Sequence, residues 1–195
     1  GRNAMSEVVH TFTTTVPRWQ PYVVPVDFAT ATGEQHAAMQ TTPSNKGISP
    51  YVLTLAHDPE TLAVRSPLFN LIMFGKHGLP SSERELGAVA ASIVNRCVYC
   101  AAVHASRFTA QTKRSDVIDA IFADGLNATI DEHLQAIFDF SAHLSPTPPE
   151  ATAADVRALA DVGLNELEVL DLVLSSAIFG WANRLMHTLG EPIKD

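Results

Sequence analysis

Between Ser82 and Ala110 the chain reads as two helices joined by one sharp break, and this stretch constrains the fold more than any other. Leu86, Val89, Ala90, Ile93 and Val94 recur at helical spacing, which predicts an amphipathic helix over 82–94 with one buried stripe. Asn95-Arg96 breaks it, and a second helix follows over 97–110. Each helical residue turns the chain by about 100°. Cys97 and Cys100 then share a face, with His104 one turn past Cys100 on the same side. These are the only two cysteines of the chain, and Glu85 precedes Cys97 by twelve positions. A thiol pair at a helix start, with an imidazole one turn along, favours a thiolate.

The flanking sequence is helical on one side and irregular on the other. Residues 5–46 carry Pro17, Pro21 and Pro25 with Trp19, Tyr22 and Phe28 among them. Prolines this frequent forbid a long helix. The segment reads as an extended arm whose aromatics pack on the body or on a neighbouring subunit. Asp58-Pro59 and Ser66-Pro67 each set a capping residue before a proline, predicting short helices over 50–57, 59–65 and 67–77. Val117, Ile118, Ile121 and Phe122 mark a short helix closed by Gly125, and Thr129 with Glu132 forms a capping box for the next. A helix over 153–161 stops at Gly163. Asn165 caps a long helix to about Leu189, with a stripe of Leu167, Leu170, Leu174, Ile178, Trp181 and Leu185. No segment alternates convincingly as a strand. The fold class is all-α, a compact helical domain over 47–195 preceded by a tag remnant and arm over 1–46.

A chain of 195 residues with 46% apolar and 17% charged side chains has ample material for one core. A net charge of −8 argues against nucleic acid or an anionic membrane surface as partner. The longest apolar run, from Leu172 to Ala182, is too short for a membrane span. No export signal opens the sequence, so a reducing cytoplasm is expected, where two close cysteines serve redox or metal chemistry.

Each candidate residue also has a plain structural reading. Glu85 lies three residues after Ser82 and fits the second position of a capping box. His104 fits a satisfied core histidine, and Cys97 and Cys100 fit inert buried thiols. Tyr99, Trp181, Asn183 and Arg184 read as packing or interface residues. Cys97, Cys100, His104 and Glu85 together would also supply four zinc ligands.

The pattern Glu85-x11-Cys97-x2-Cys100-x3-His104 at a junction of two helices resembles the signature of AhpD-type alkylhydroperoxidases, in the carboxymuconolactone decarboxylase-like superfamily. Glu83-Arg84-Glu85-Leu86 is similar to the family's usual start of the first helix. Asn183-Arg184, with Gly190 after it, resembles the tail of the peroxidase-related branch. The likeness covers roughly residues 48–191. Tyr99 departs from it where AhpD has a histidine, and Arg96 where a glycine is common. The resemblance implies a peroxidase in which Cys100 attacks a hydroperoxide, Cys97 resolves the sulfenic acid to a disulfide, and Glu85 and His104 relay protons. It implies no bound cofactor, a lipoyl or thioredoxin-like dithiol reductant, and a symmetric homo-oligomer. A lyase of the same superfamily is the further alternative, although those members generally lack the cysteine pair.

Overall fold

A computed structural model describes residues 6–40 and 47–194. The order is β1 (Arg18–Pro21), α1 (Gly33–Met39), α2 (Pro50–Leu55), α3 (Pro59–Phe74), α4 (Ser81–Val94), α5 (Val98–Thr112), α6 (Ser115–Asp124), α7 (Glu132–Leu144), α8 (Ala153–Asp161), α9 (Glu166–Leu189) and β2 (Gly190–Ile193). The fold class is all-α, with one small two-stranded sheet.

α4 is the central element and packs against α5, α7 and α9. Small residues make that possible. A Cβ on Gly87 would meet Ser176 Oγ at 2.9 Å and Leu172 Cδ1 at 3.0 Å, so α9 lies against bare backbone there. Polar groups on this seam satisfy one another: Ser92 Oγ donates to the Ala88 carbonyl (2.7 Å), and Asn183 Nδ2 donates to Ser92 Oγ (3.1 Å). Asn183, read from sequence as core or interface, is fully buried.

Arg84 is buried within this core, and its guanidinium is saturated. Nε donates to the Leu79 carbonyl (2.7 Å), Nη1 to the Ile72 carbonyl (2.7 Å), and Nη2 to the His77 carbonyl (2.7 Å) and to Asp171 of α9 (3.2 Å). One side chain thus ties the α3–α4 loop to two helices.

Several expected boundaries are corrected. α3 runs unbroken through Pro67, because a proline φ suits a helix and one lost hydrogen bond is outweighed by packing on both sides. Ser66 is buried inside that helix and does not cap it. α7 is capped by Asp131, whose carboxylate accepts from Leu134 N, rather than by Thr129. α4 starts at Ser81 without a side-chain cap, so Glu85 belongs to no capping box. The expected stripe of α9 is largely on the surface: Leu167, Leu170, Leu174 and Trp181 are exposed. The face turned inward holds Leu172, Ser175, Ser176, Phe179, Ala182, Asn183 and Met186. By length and composition α9 would also cross a membrane; here it is a packing helix against α3, α4 and α7.

The described part of the arm is more ordered than a string of prolines suggests. β1 pairs antiparallel with β2, Arg18 opposite Ile193 and Pro21 opposite Gly190. Trp19 is buried and donates from Nε1 to the Met186 carbonyl (3.1 Å), while Tyr22 and Phe28 stay exposed. Thr32 and Gln35 form a capping box for α1, an element not foreseen.

α4 ends in a Schellman motif: Cys97 N donates to the Ser92 carbonyl (2.9 Å) and Arg96 N to the Ile93 carbonyl (3.2 Å). Arg96 takes the left-handed position, φ 56°, which suits glycine better than any side chain. Replacing Arg96 by Gly should raise stability by roughly 0.5–1 kcal/mol, the ~1–2 kcal/mol left-handed penalty less the entropic cost of glycine. Equilibrium denaturation checks this; a loss of stability would mean that the Arg96 side chain contributes more than its backbone strain removes.

Candidate functional site

The Schellman turn fixes where α5 begins. Cys97 is its N-cap, with Sγ accepting from Cys100 N at 3.4 Å, and Cys100 stands in the first turn. The partial positive charge of a helix N-terminus therefore acts on both sulfurs. They are joined as a disulfide, with the Cα atoms 5.3 Å apart.

The two sulfurs have different surroundings. Cys100 lines a cavity of about 250 Å³ between α2, α3, α5 and α9, together with His104. Cys97 packs on the other side of the turn, against Trp19, Met186 and Leu189.

His104 lies one turn along α5, in edge contact with Phe179, ring centroids 4.4 Å apart. Its Nδ1 is 2.5 Å from Glu85 Oε2. α4 delivers Glu85 there with no solvent exposure at all (0%). A carboxylate only accepts, so Nδ1 donates to it, and Nε2 is left without a partner among the described residues. Glu85 Oε1 is buried and has no partner among the described residues. A carboxylate oxygen held dry and unsatisfied is costly.

The sequence-derived candidates are thus linked in pairs: Cys97 to Cys100 at the turn between α4 and α5, Cys100 to His104 through the cavity they share, and His104 to Glu85 of α4. Among the described residues no group of three or more His, Cys, Asp or Glu side chains is arranged to hold a metal ion. Cys97 and Cys100 are spent on each other, and Glu85 on the imidazole. His57, His133 and His187 bond elsewhere, to the Val24 carbonyl, Glu83 and the Arg96 carbonyl.

Sequence reasoning missed the far wall of the cavity. Tyr51 of α2, which packs edge-on against Trp19, and Arg65 and Phe69 of α3 line it together with Cys100, and Tyr99 and Arg107 border it from α5. Burial pushes the Tyr99 phenol above its ordinary value, partly offset by Arg107, so it stays protonated at neutral pH. The available signal was Arg65 itself, a lone cation in the otherwise apolar middle of α3.

This all-α architecture, with a cysteine pair at the start of a helix, defines the class. Residues 59–138 match the carboxymuconolactone decarboxylase family. A peroxidase-related protein from Ralstonia eutropha described as an alkylhydroperoxidase AhpD core is 28% identical, with a TM-score of 0.75 over 93% of this chain and 94% of that one. A peroxidase-related protein from Silicibacter sp. is 21% identical, with a TM-score of 0.75 over 92% and 95%. The debrominase Bmp8 shares the fold at 19% identity, with a TM-score of 0.74 over 90% and 93%. Curated protein sequences give no match. The chain thus has the AhpD-like fold, and its residues 59–138 carry the likeness to the carboxymuconolactone decarboxylase family.

The unequal settings of the two sulfurs give a direct expectation. After mild reduction, a short pulse of iodoacetamide should label Cys100 well before Cys97. Peptide mass mapping checks the order; equal labelling would mean that the Trp19 side is as open as the cavity.

Proposed function

We propose that this protein is a thiol peroxidase that reduces organic hydroperoxides with the Cys97–Cys100 pair. One observation carries the reading: Cys100, bonded to a second cysteine three positions away, shares a cavity wall with a histidine that a buried glutamate orients.

In the reduced enzyme His104 Nε2 takes the proton of the Cys100 thiol, and the imidazolium is stabilised by Glu85. The thiolate attacks the terminal oxygen of ROOH. An S–O bond forms, the O–O bond breaks, and the alkoxide leaves with the proton held by His104. Cys100 is then a sulfenic acid. The Cys97 thiol attacks its sulfur, an S–S bond forms, and hydroxide leaves as water with the Cys97 proton. Two thiols and ROOH become a disulfide, ROH and water, a two-electron exchange. The disulfide form described above is the end of that half-cycle. An external dithiol, of the lipoyl or thioredoxin-like kind, returns both electrons, and no bound cofactor is needed.

Cys100→Ser should abolish peroxide consumption. Cys97→Ser should keep a first turnover and leave Cys100 trapped as sulfenic acid. His104→Ala should slow the attack by about 10²–10⁴, the usual contribution of a positioned acid–base group. Stopped-flow consumption of cumene hydroperoxide, with mass spectrometry of the product, reads all three. First turnover lost in Cys97→Ser but kept in Cys100→Ser would reverse the two roles.

The protein works as a symmetric homo-oligomer in the same reading. Val64 and Leu68 of α3 with Ile178 and Trp181 of α9 line an open apolar groove, and Leu71, Leu170 and Leu174 are exposed on the same two helices. An apolar surface of this kind is a binding face. Light scattering at micromolar concentration should give a multiple of 21.0 kDa; a clean monomer would remove this part.

A further inference from the structure

One arginine of this fold, Arg84, is buried and another, Arg65, is half-buried, and they are treated in opposite ways. Arg84 gives its donors to carbonyls and to Asp171. Arg65 is half-buried, and that burial pushes its pKa down, yet among the described residues no carboxylate comes within salt-bridge distance of it, Glu60 only sharing the open groove on its other side. Its Nε has no hydrogen-bond partner there, and Nη1 reaches only Ser66 Oγ, at 3.5 Å. The guanidinium lies 4.6 Å from the centroid of the Phe69 ring and 5.8 Å from that of Tyr51. Stacking of this kind holds the fork in place without using its donors.

The Tyr51 hydroxyl beside it is buried and makes no hydrogen bond of good geometry among the described residues. Burial pushes its pKa up, Arg65 opposes this, and the net direction is upward, so it remains a donor. Arg65 and Tyr51 thus act on each other and border the same cavity, with Arg65 Nε and the Tyr51 hydroxyl in no hydrogen bond of good geometry among the described residues. Buried charges are normally paired, and buried polar groups normally satisfied. Among the described residues no Asp or Glu lines this cavity, in a chain of net charge −8. Arg107 adds a second positive charge on the α5 side. The missing partner is an anion that enters from outside.

Size and lining narrow its class. A cavity of ~150 Å³ holds benzene, so about 250 Å³ takes a body of roughly ten non-hydrogen atoms by the same measure. Phe69, Phe74 and Phe179 present apolar faces to that body. A planar guanidinium grips a carboxylate through two parallel bonds.

We infer that Arg65 and Tyr51 form a carboxylate anchor in the cavity that Cys100 also lines, and that the substrate is a compact aromatic or branched apolar acid. That this acid carries a hydroperoxide rests on the proposed function; the anchor itself does not. With the carboxylate held by Arg65, the other end of the molecule is directed to the wall that carries Cys100 and His104.

Binding and turnover separate the two readings. Calorimetric titration of the full chain should show 3-phenylpropionate binding at least tenfold tighter than 3-phenylpropionamide. Arg65→Met should remove that preference and leave the amide unchanged. Arg65→Lys and Tyr51→Phe should each weaken the acid alone, which keeps the test decisive if Arg65→Met melts early. In turnover, para-carboxy cumene hydroperoxide should have a lower KM than cumene hydroperoxide, and Arg65→Met should raise only the former, with kcat little changed. Equal binding of acid and amide, or unchanged acid affinity in all three variants, overturns the anchor. Selective binding of the acid with no turnover of either hydroperoxide keeps the anchor and refutes the peroxidase.

Discussion

The structure depends first on Arg84 in its cage of carbonyls. A guanidinium placed in a core has to be met on every donor or it is expelled. Here the α3–α4 loop is wrapped so that its carbonyls do the meeting, and Asp171 of α9 supplies the counter-charge while also accepting from Leu79 N at 2.9 Å. That arrangement sets the start of α4 relative to α3 and α9. Glu85 is the next residue, so the same constraint sets where a fully buried carboxylate emerges. The imidazole it orients and the thiols beyond are positioned by the packing of α4 on α5.

Most of this was legible in the sequence, for identifiable reasons. The helical spacing of Leu86, Val89, Ala90, Ile93 and Val94 located α4, and Asn95-Arg96 located its end, because a Schellman turn needs a left-handed residue and leaves a visible break in the pattern. Cys97, Cys100, His104 and Glu85 were readable together because two of them share one helix at fixed spacing with the third. Gly125, Gly163 and Asn165 marked termini through backbone chemistry that acts locally.

What was illegible depends on contacts between distant segments. Pro21 and Gly190, paired between β1 and β2, are 169 positions apart, and four residues in each strand leave no room for alternation to show. Pro67 looked like a helix start because the gain that keeps α3 continuous comes from its neighbours, not from its own sequence. The apolar stripe of α9 misled for a related reason: Ser175, Ser176, Ala182 and Asn183, small or polar residues that permit close approach to α4, share the inward face with Leu172, Phe179 and Met186, while Leu167, Leu170, Leu174 and Trp181 are exposed. The Arg65–Tyr51 wall of the cavity is assembled from α2 and α3 and has no signature along the chain.

Trp19 has an optical consequence. Its indole packs in one cluster with Cys97 and Cys100, in surroundings shielded from water. A disulfide accepts an electron from an excited indole in van der Waals contact and extinguishes its emission, whereas a dithiol does so far less. The chain has two tryptophans, and the other, Trp181, is exposed and lies on α9 within the apolar groove. The blue-shifted part of the emission therefore belongs to Trp19 and brightens when the cysteine pair is reduced, which makes the arm a built-in reporter of the redox state it covers.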